Sequence, residues 1–425
     1  MTTSASAGKQ RLTQSPLLRT TFALCVVLLG IASVIAHGLE YRGVERFSKD
    51  FALDYSSAKA VLDGEDPYAP IRMLVGRYLD PPPDVLRDNI LPGANWHTPF
   101  KLLVTLPLTG LPFRAAGVVW LLLCAACVVA AGFLLGRELA WSRRGAYLLG
   151  IGALGVPVVQ TDLSAGNLNG PMLLLLVLAW RWLRRDRAAV AATMLGILVA
   201  LKFFPALLAL PLLGRRRIRD VGSAAAVAIA LTLVGALVLG ADHMSSFISA
   251  GGGDEGFAYW DTSPANISWW GIATRWLTPN GWVDAGVDAA ALGVVLGIAG
   301  IAAALLLLLR MEARMSSVPF MAAVPLMLLA WPISWVHYLV LTLPWVVVAA
   351  RGLSTRNARR GWWIAYGIVA LVLMVGFPPG TPSLPETGSL SAALLYQLPT
   401  LALIGSVLME RTFNRSRMPV PEPGW

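Results

Sequence analysis

The sequence predicts an all-α polytopic membrane protein of about twelve transmembrane helices with a large first outer loop. Three observations carry that expectation. Apolar runs, several of 17 or more residues, recur along the whole length, and 56% of the 425 residues are hydrophobic. Only 14% are charged, against about 25% in an ordinary soluble domain. Clusters of Arg and Lys punctuate the apolar runs, as short cytoplasmic loops do between membrane spans.

The segments fall roughly at 20–38, 115–136, 145–160, 165–181, 188–201, 203–214, 221–241, 283–309, 318–332, 336–350, 361–377 and 391–409. The first is preceded by Lys9, Arg11 and Arg19 and followed by many further spans, so it reads as an uncleaved anchor. Both ends are then inside: residues 1–19 form a cytoplasmic N-terminal tail, 20–409 the transmembrane domain, and 410–425 a cytoplasmic C-terminal tail. This arrangement places 23 of the 34 Lys and Arg on the cytoplasmic side and 18 of the 24 acids outside. Counting Thr98–Phe113 as a further span would carry Arg137, Arg143 and Arg144 outward. With three prolines and Lys101, that run is expected to be re-entrant or surface-lying.

Residues 188–201 and 203–214 span only about 18–21 Å at 1.5 Å per residue, short of a hydrocarbon core of about 30 Å. Lys202 and Pro205 lie between them. Non-helical backbone and a charge at that depth survive only beside protein or water, so a broken helix facing an outward cavity is expected.

Two outer loops are sizeable, about 39–114 and 242–282. The first opens with KDFALDYSSAKAVLDGEDPY, holding Asp50, Asp54, Asp63, Glu65 and Asp66; Ser48 to Leu62 lacks Gly and Pro and reads as an interfacial helix. The second contains GGGDEGFAYWDTSPANISWW, a Gly-rich hinge followed by aromatics.

The net charge of +10 reports topology and is no nucleic-acid footprint. Cys25, Cys124 and Cys127 all lie in apolar runs and read as packing residues, giving no disulfide framework. The four His have neither HxxxH nor HExxH spacing, so no metal is expected. Phosphate-loop and serine-hydrolase motifs are absent.

Polar residues that are neither part of basic loops nor isolated gather on the outer side: Asp50 with Asp54, His97, Asp162 with Asn167 and Asn169, Lys202, Asp261 with Asn266, Arg275 and His337. Asp50 and Asp54 are four apart, on one face of a helix, where paired acids raise each other's pKa and suit a general base and its helper. The same spacing is common on wet helices. His337, between Trp335 and Tyr338, suits a packed hydrogen-bonded role as well as a catalytic one.

Five pieces in order resemble the polyprenyl-phosphate-dependent glycosyltransferases of the GT-C fold, family 87 in particular, which includes actinobacterial mannosyltransferases. They are DFALDYSSAKAVLDGEDPY; AGNLN, Ala165–Asn169; LKFFP, Leu201–Pro205; NISWWGIATRW; and PISWVHY, Pro332–Tyr338. Asn167 stands where the family usually has Gln, and Tyr338 replaces a second His. The resemblance selects Asp50, before Phe51, as the acid, with Asp54 second.

The resemblance implies an inverting enzyme of the cytoplasmic membrane with its active site on the outer face. Its donor would be a polyprenyl-phosphate sugar, mannose first, and its acceptor a lipid-anchored glycan of phosphatidylinositol mannoside or lipomannan type. No cofactor or nucleic acid is implied. Asp50, Asp54 and His337 are the expected catalytic residues. Lys202 and Arg275 would bind donor phosphate; Tyr55, Asn167, Asn169, Asn266 and Trp335 would contact substrate. The alternatives are an arabinofuranosyltransferase using a polyprenyl-phosphate pentose, and a flippase for a lipid-linked sugar. A flippase should show matching broken helices in two halves, and no such repeat stands out.

Overall fold

A computed structural model describes residues 16–88, 93–214, 216–252, 262–280, 288–310, 318–355, 358–376 and 390–415. The two tails, apart from residues 16–19 and 410–415, lie outside the described residues, as do Asp261 and much of the Gly-rich hinge. The regular elements among the described residues are all helices, and sheet pairing there is limited to two isolated bridges, Pro70 with Ala94 and Asn266 with Trp335.

Among the described residues, five helices are long and apolar enough to cross a membrane: Thr20–Glu40, Phe113–Glu138, Ile218–Leu239, Ala290–Arg310 and Val336–Thr355. Arg143–Ala153 and Pro157–Ala165 make a sixth if their 57° bend is taken within one span. The bend falls at Pro157, which cannot donate to the preceding turn. Ala188–Leu201, Val318–Ala330 and Arg360–Val375 are shorter helices, while 391–409 falls within the 26-residue helix Leu390–Arg415, with Pro399 inside it. Residues 203–214 form a 3-10 stretch, Phe204–Ala209, and one helical turn, Leu210–Gly214. Residues 165–181 begin as a turn and become helical only at Asn169.

Thr98–Phe113 is not a span. Thr98 caps the short helix Pro99–Thr105, accepting from the Lys101 amide at 3.2 Å, with Pro99 at the first helical position. A 3-10 turn, Leu106–Gly110, follows.

Helices need small residues to approach closely in a membrane. Phe113–Glu138 and Arg143–Ala153 meet through Gly132, Gly136, Ala146 and Gly150, and a Cβ on Gly132 would lie 2.6 Å from the Gly150 Cα. The main core, around Trp120, Trp180 and Trp345, supports the helix Asp50–Leu62 through Phe51, which stacks on Trp120 at 5.5 Å.

Candidate active site

Three segments distant in sequence bring polar side chains to Asn167. Its Nδ2 donates to Asp50, 117 positions away, and lies 3.2 Å from Nε2 of His337, 170 positions away. Its Oδ1 accepts from the Lys202 ammonium at 2.9 Å and from the Leu168 amide at 2.7 Å. Two donors on Oδ1 fix the amide's orientation. An N–H aimed at His337 Nε2 leaves that nitrogen as acceptor and puts the imidazole proton on Nδ1. Asp50 and His337 are half-buried, while Asn167 and Lys202 are buried. Among the described residues the second Asp50 oxygen has no hydrogen-bond partner.

Local structure explains the placement. Gly166, at φ +68°, ends the Pro157–Ala165 helix in the left-handed conformation that favours glycine. Asn167 therefore leaves the helix and turns toward Asp50. Its turn is held by Trp120 Nε1, which donates to the Gly166 carbonyl at 2.9 Å, and by Asn169, which donates to Asp162 at 2.7 Å. Lys202 sits where the 188–201 helix breaks, with extended φ −151° and ψ 140°. Pro205 has no N–H to give the Leu201 carbonyl. Thr98 Oγ1 instead donates to the Ala200 and Leu201 carbonyls, at 2.5 and 3.2 Å, so the break is closed from the segment that leads into the Pro99–Thr105 helix.

Asp54 belongs to a separate arrangement. It is fully buried one turn beyond Asp50, with His97 Nδ1 at 2.5 Å, Lys101 Nζ at 2.7 Å and Asn95 Nδ2 at 3.2 Å. Burial pushes its carboxyl up, but His97 and Lys101 outweigh this and hold it well below the usual carboxylate range. Burial in turn lowers the His97 imidazole below its ordinary value, against the pull of Asp54. The two acids thus face different partners, and Asp54 is held down where a paired acid would push it up.

The remaining expected residues make contacts of their own and hold the backbone of neighbouring segments. Arg275 is buried and clamps a loop: Nε donates to the Thr262 carbonyl at 2.9 Å, and a terminal nitrogen to Ser263 and Asn266 carbonyls at 2.6 Å each. Its other terminal nitrogen meets Gln397 at 3.2 Å. Asn266 bridges to Trp335, and its side chain binds the Pro332 carbonyl and the Ser334 amide. That pairing fixes the chain two residues before His337. Tyr55 donates to the Leu111 carbonyl at 2.8 Å and packs on Phe113. Lys101 and Lys49 lacked a sequence partner; a Lys four residues after His97 in an apolar helix was the available signal for the first. No three His, Cys, Asp or Glu side chains among the described residues group as metal ligands.

The sequence profile of glycosyltransferase family 87 matches residues 96–332, more than half of the chain. The chain belongs to glycosyltransferase family 87. It is therefore a glycosyltransferase, and its apolar helices make it a multi-pass membrane member of that family. It is similar to a polyprenol-phosphate-mannose-dependent alpha-(1-2)-phosphatidylinositol pentamannoside mannosyltransferase of Mycobacterium tuberculosis. Identity is 26%, over 98% of this chain and 94% of that protein. It is also 28% identical to the protein of the same description from Mycolicibacterium smegmatis, over 79% of this chain and 80% of the relative. The matched family region holds Asn167, Lys202 and Arg275, while Asp50 precedes it and His337 follows it.

Proposed function

We propose that this family 87 enzyme transfers mannose from a polyprenyl phosphate to a lipid-anchored mannoside at the outer face of the cytoplasmic membrane. The chain would cross that membrane about twelve times with both tails inside. The observation that carries the reading is the convergence of Asp50, Lys202 and His337 on the single amide of Asn167. The descriptions of both mycobacterial relatives support the choice of sugar and donor.

In this reading the unpartnered Asp50 oxygen takes the proton of the acceptor hydroxyl. The hydroxyl oxygen attacks the anomeric carbon, and the bond from that carbon to the phosphate oxygen breaks with inversion. The electron pair leaves on the polyprenyl phosphate, where charge grows and a fixed cation lowers the barrier. Lys202 is that cation. Asn167 holds the carboxylate and the ammonium apart, so neither neutralises the other before substrate arrives. His337, with Nδ1 protonated, offers a donor to sugar or acceptor.

Purified enzyme with a phosphatidylinositol mannoside acceptor tests this. Product is expected from polyprenyl-phosphate mannose, and none from GDP-mannose or polyprenyl-phosphate arabinose. Asp50→Asn, which keeps shape but accepts no proton, should lower turnover about 10²–10⁴-fold. Product from GDP-mannose alone would end the lipid-donor reading; product from the arabinose donor would reassign the sugar.

A further inference from the structure

Asp50 is backed by a second set of charges that the transfer step leaves unused. Lys49, the residue before it, is buried, and its ammonium contacts the Glu40 carboxylate and donates to the Ser164 carbonyl at 2.5 Å. The same Glu40 oxygen accepts from Ser164 Oγ at 2.9 Å, and its other oxygen bonds His37 Nδ1 at 2.7 Å. The ammonium also lies 5.2 Å from the centroid of the Tyr41 ring. A buried ammonium is tolerable only with such partners.

The partners come from three segments. Glu40 ends the first span, Lys49 precedes the Asp50–Leu62 helix, and Ser164 stands one residue before the end of the Pro157–Ala165 helix. Two ties therefore join the same two segments: Lys49 to Ser164, and Asp50 to Asn167. Gly166 lies between them with no slack. A Cβ there would stand 3.2 Å from Phe51 Cβ and Tyr41 Oη, and 3.4 Å from Lys49 Cβ. Any movement of Lys49 is passed directly to Asp50.

We propose that the Glu40–Lys49 pair is a positioning device for Asp50, fixing the carboxylate against Asn167 and setting the local charge under which it takes a proton. The inference rests on the reading of Asp50 as the base. The pair touches no substrate in this scheme; it acts through Asp50 alone. Placed at a helix end, Lys49 also meets a carbonyl at the negative end of the Pro157–Ala165 helix, which favours a cation there.

The two members of the pair are opposite in charge, and this separates electrostatic positioning from plain tethering. The other titratable groups around Asp50 are Tyr41, Asp162, Lys202, His337 and Tyr338. All stay in place in the variants, so differences report Glu40 and Lys49. Lys49→Met removes the cation adjoining Asp50 in the chain, leaves the Glu40 charge unbalanced, and so disfavours the ionised form of Asp50. Glu40→Gln leaves the Lys49 charge unbalanced and favours it.

The measurement is kcat/KM against pH for the full-length enzyme in detergent, with polyprenyl-phosphate mannose, for wild type, Lys49→Met, Lys49→Arg, Glu40→Gln and Asp50→Asn. The acid limb is expected to move up by about half to one pH unit in Lys49→Met and down by a similar amount in Glu40→Gln. Lys49→Met should lower kcat at least tenfold with the donor KM unchanged, and Lys49→Arg should restore the limb and part of kcat. Should Lys49→Met fail to fold, the downward shift in Glu40→Gln still decides. Acid limbs that stay put, or that move in the same direction in both variants, overturn the inference. Turnover surviving in Asp50→Asn would instead overturn the base reading beneath it, so the two failures are distinguishable.

Discussion

Lys202 holds its ammonium 4.2 Å from the centroid of the Tyr338 ring. The other face of the relationship is also fixed: Tyr338 stacks on Phe204, two residues past the lysine, at 5.0 Å and 15°. An aromatic ring thus stands at the position where the family resemblance suggested a second imidazole. A ring face steadies a cation by about 0.5–2 kcal/mol without neutralising it, unlike a carboxylate partner. Among the described residues the lysine has no carboxylate in salt-bridge contact; its hydrogen-bond partner is the Asn167 amide oxygen.

From this follows the first prediction. Lys202→Met should raise the donor KM tenfold or more, while Asn167 keeps its Leu168 amide partner and the fold survives. Tyr338→Phe preserves the ring face and should stay within about threefold of wild type. Tyr338→Leu removes it and should raise the donor KM severalfold, in line with the energy of a cation–ring contact. Initial rates across donor concentrations check all three. An unchanged KM in Lys202→Met would remove the lysine from donor binding.

The Asp54 triad gives a stability prediction. Removing one partner of a buried ion pair costs about 3–5 kcal/mol, because the other charge is left alone. Asp54→Asn should therefore lower the unfolding temperature in detergent, and adding Lys101→Met should recover much of the loss. The pH dependence has a definite sign. His97 and Lys101 hold Asp54 below its ordinary 3.8 against the upward push of burial, so its stabilisation is full above that value and lost as pH falls below it. His97 is lowered from 6.5, mainly by burial, so the unfolded chain takes up its proton first, and stability begins to fall below about pH 6.5. Wild type should lose stability in two stages on acidification. A flat unfolding temperature from pH 7 to 4 would contradict the triad.

Much of this was legible in the sequence, and the limits have physical causes. Apolar runs with basic flanks place most helices, since backbone polar groups in lipid must be satisfied within the segment. Lys202 with Pro205 announces a broken helix, because a proline cannot donate to Leu201. What closes that break, Thr98, lies 103 positions from Leu201 and leaves no local pattern. Asp50 and Asp54 share a helix face by spacing, yet their partners come from other segments and give them opposite circumstances. The sequence also shows Arg275 only as a cation near a candidate site. Its work on loop carbonyls depends on the backbone path of Thr262–Asn266, which residue types do not encode.

Arg275 accordingly yields a prediction of its own. Arg275→Met strips donors from the buried carbonyls of Thr262, Ser263 and Asn266, each worth about 1–3 kcal/mol when left unmet. A lower yield and an unfolding temperature reduced by several degrees are expected, with the donor KM of the surviving enzyme near wild type. Arg275→Lys should rescue little, since a point charge does not reproduce the planar fork. A stable Arg275→Met enzyme with a tenfold higher donor KM would return the residue to phosphate binding.

Orientation in the membrane supports every other argument and is open to direct test. The 23 of 34 basic residues assigned to the cytoplasmic side fall in short segments next to apolar helices, where Lys and Arg bias orientation most. Asp84, Asp186, Arg219 and Asp288 are all exposed, so single cysteines there report sidedness without disturbing packing. In a background with Cys25, Cys124 and Cys127 replaced, an impermeant thiol reagent added to intact cells should label positions 84 and 288. Positions 186 and 219 should react only after the membrane is opened. The assignment matters because the two sides hold different donors: a lipid-phosphate sugar can be presented outward, whereas a nucleotide sugar pool is kept within. Labelling at 219 from outside would invert the chain, put Asp50 and Lys202 on the nucleotide-sugar side, and remove the reason to expect a lipid donor.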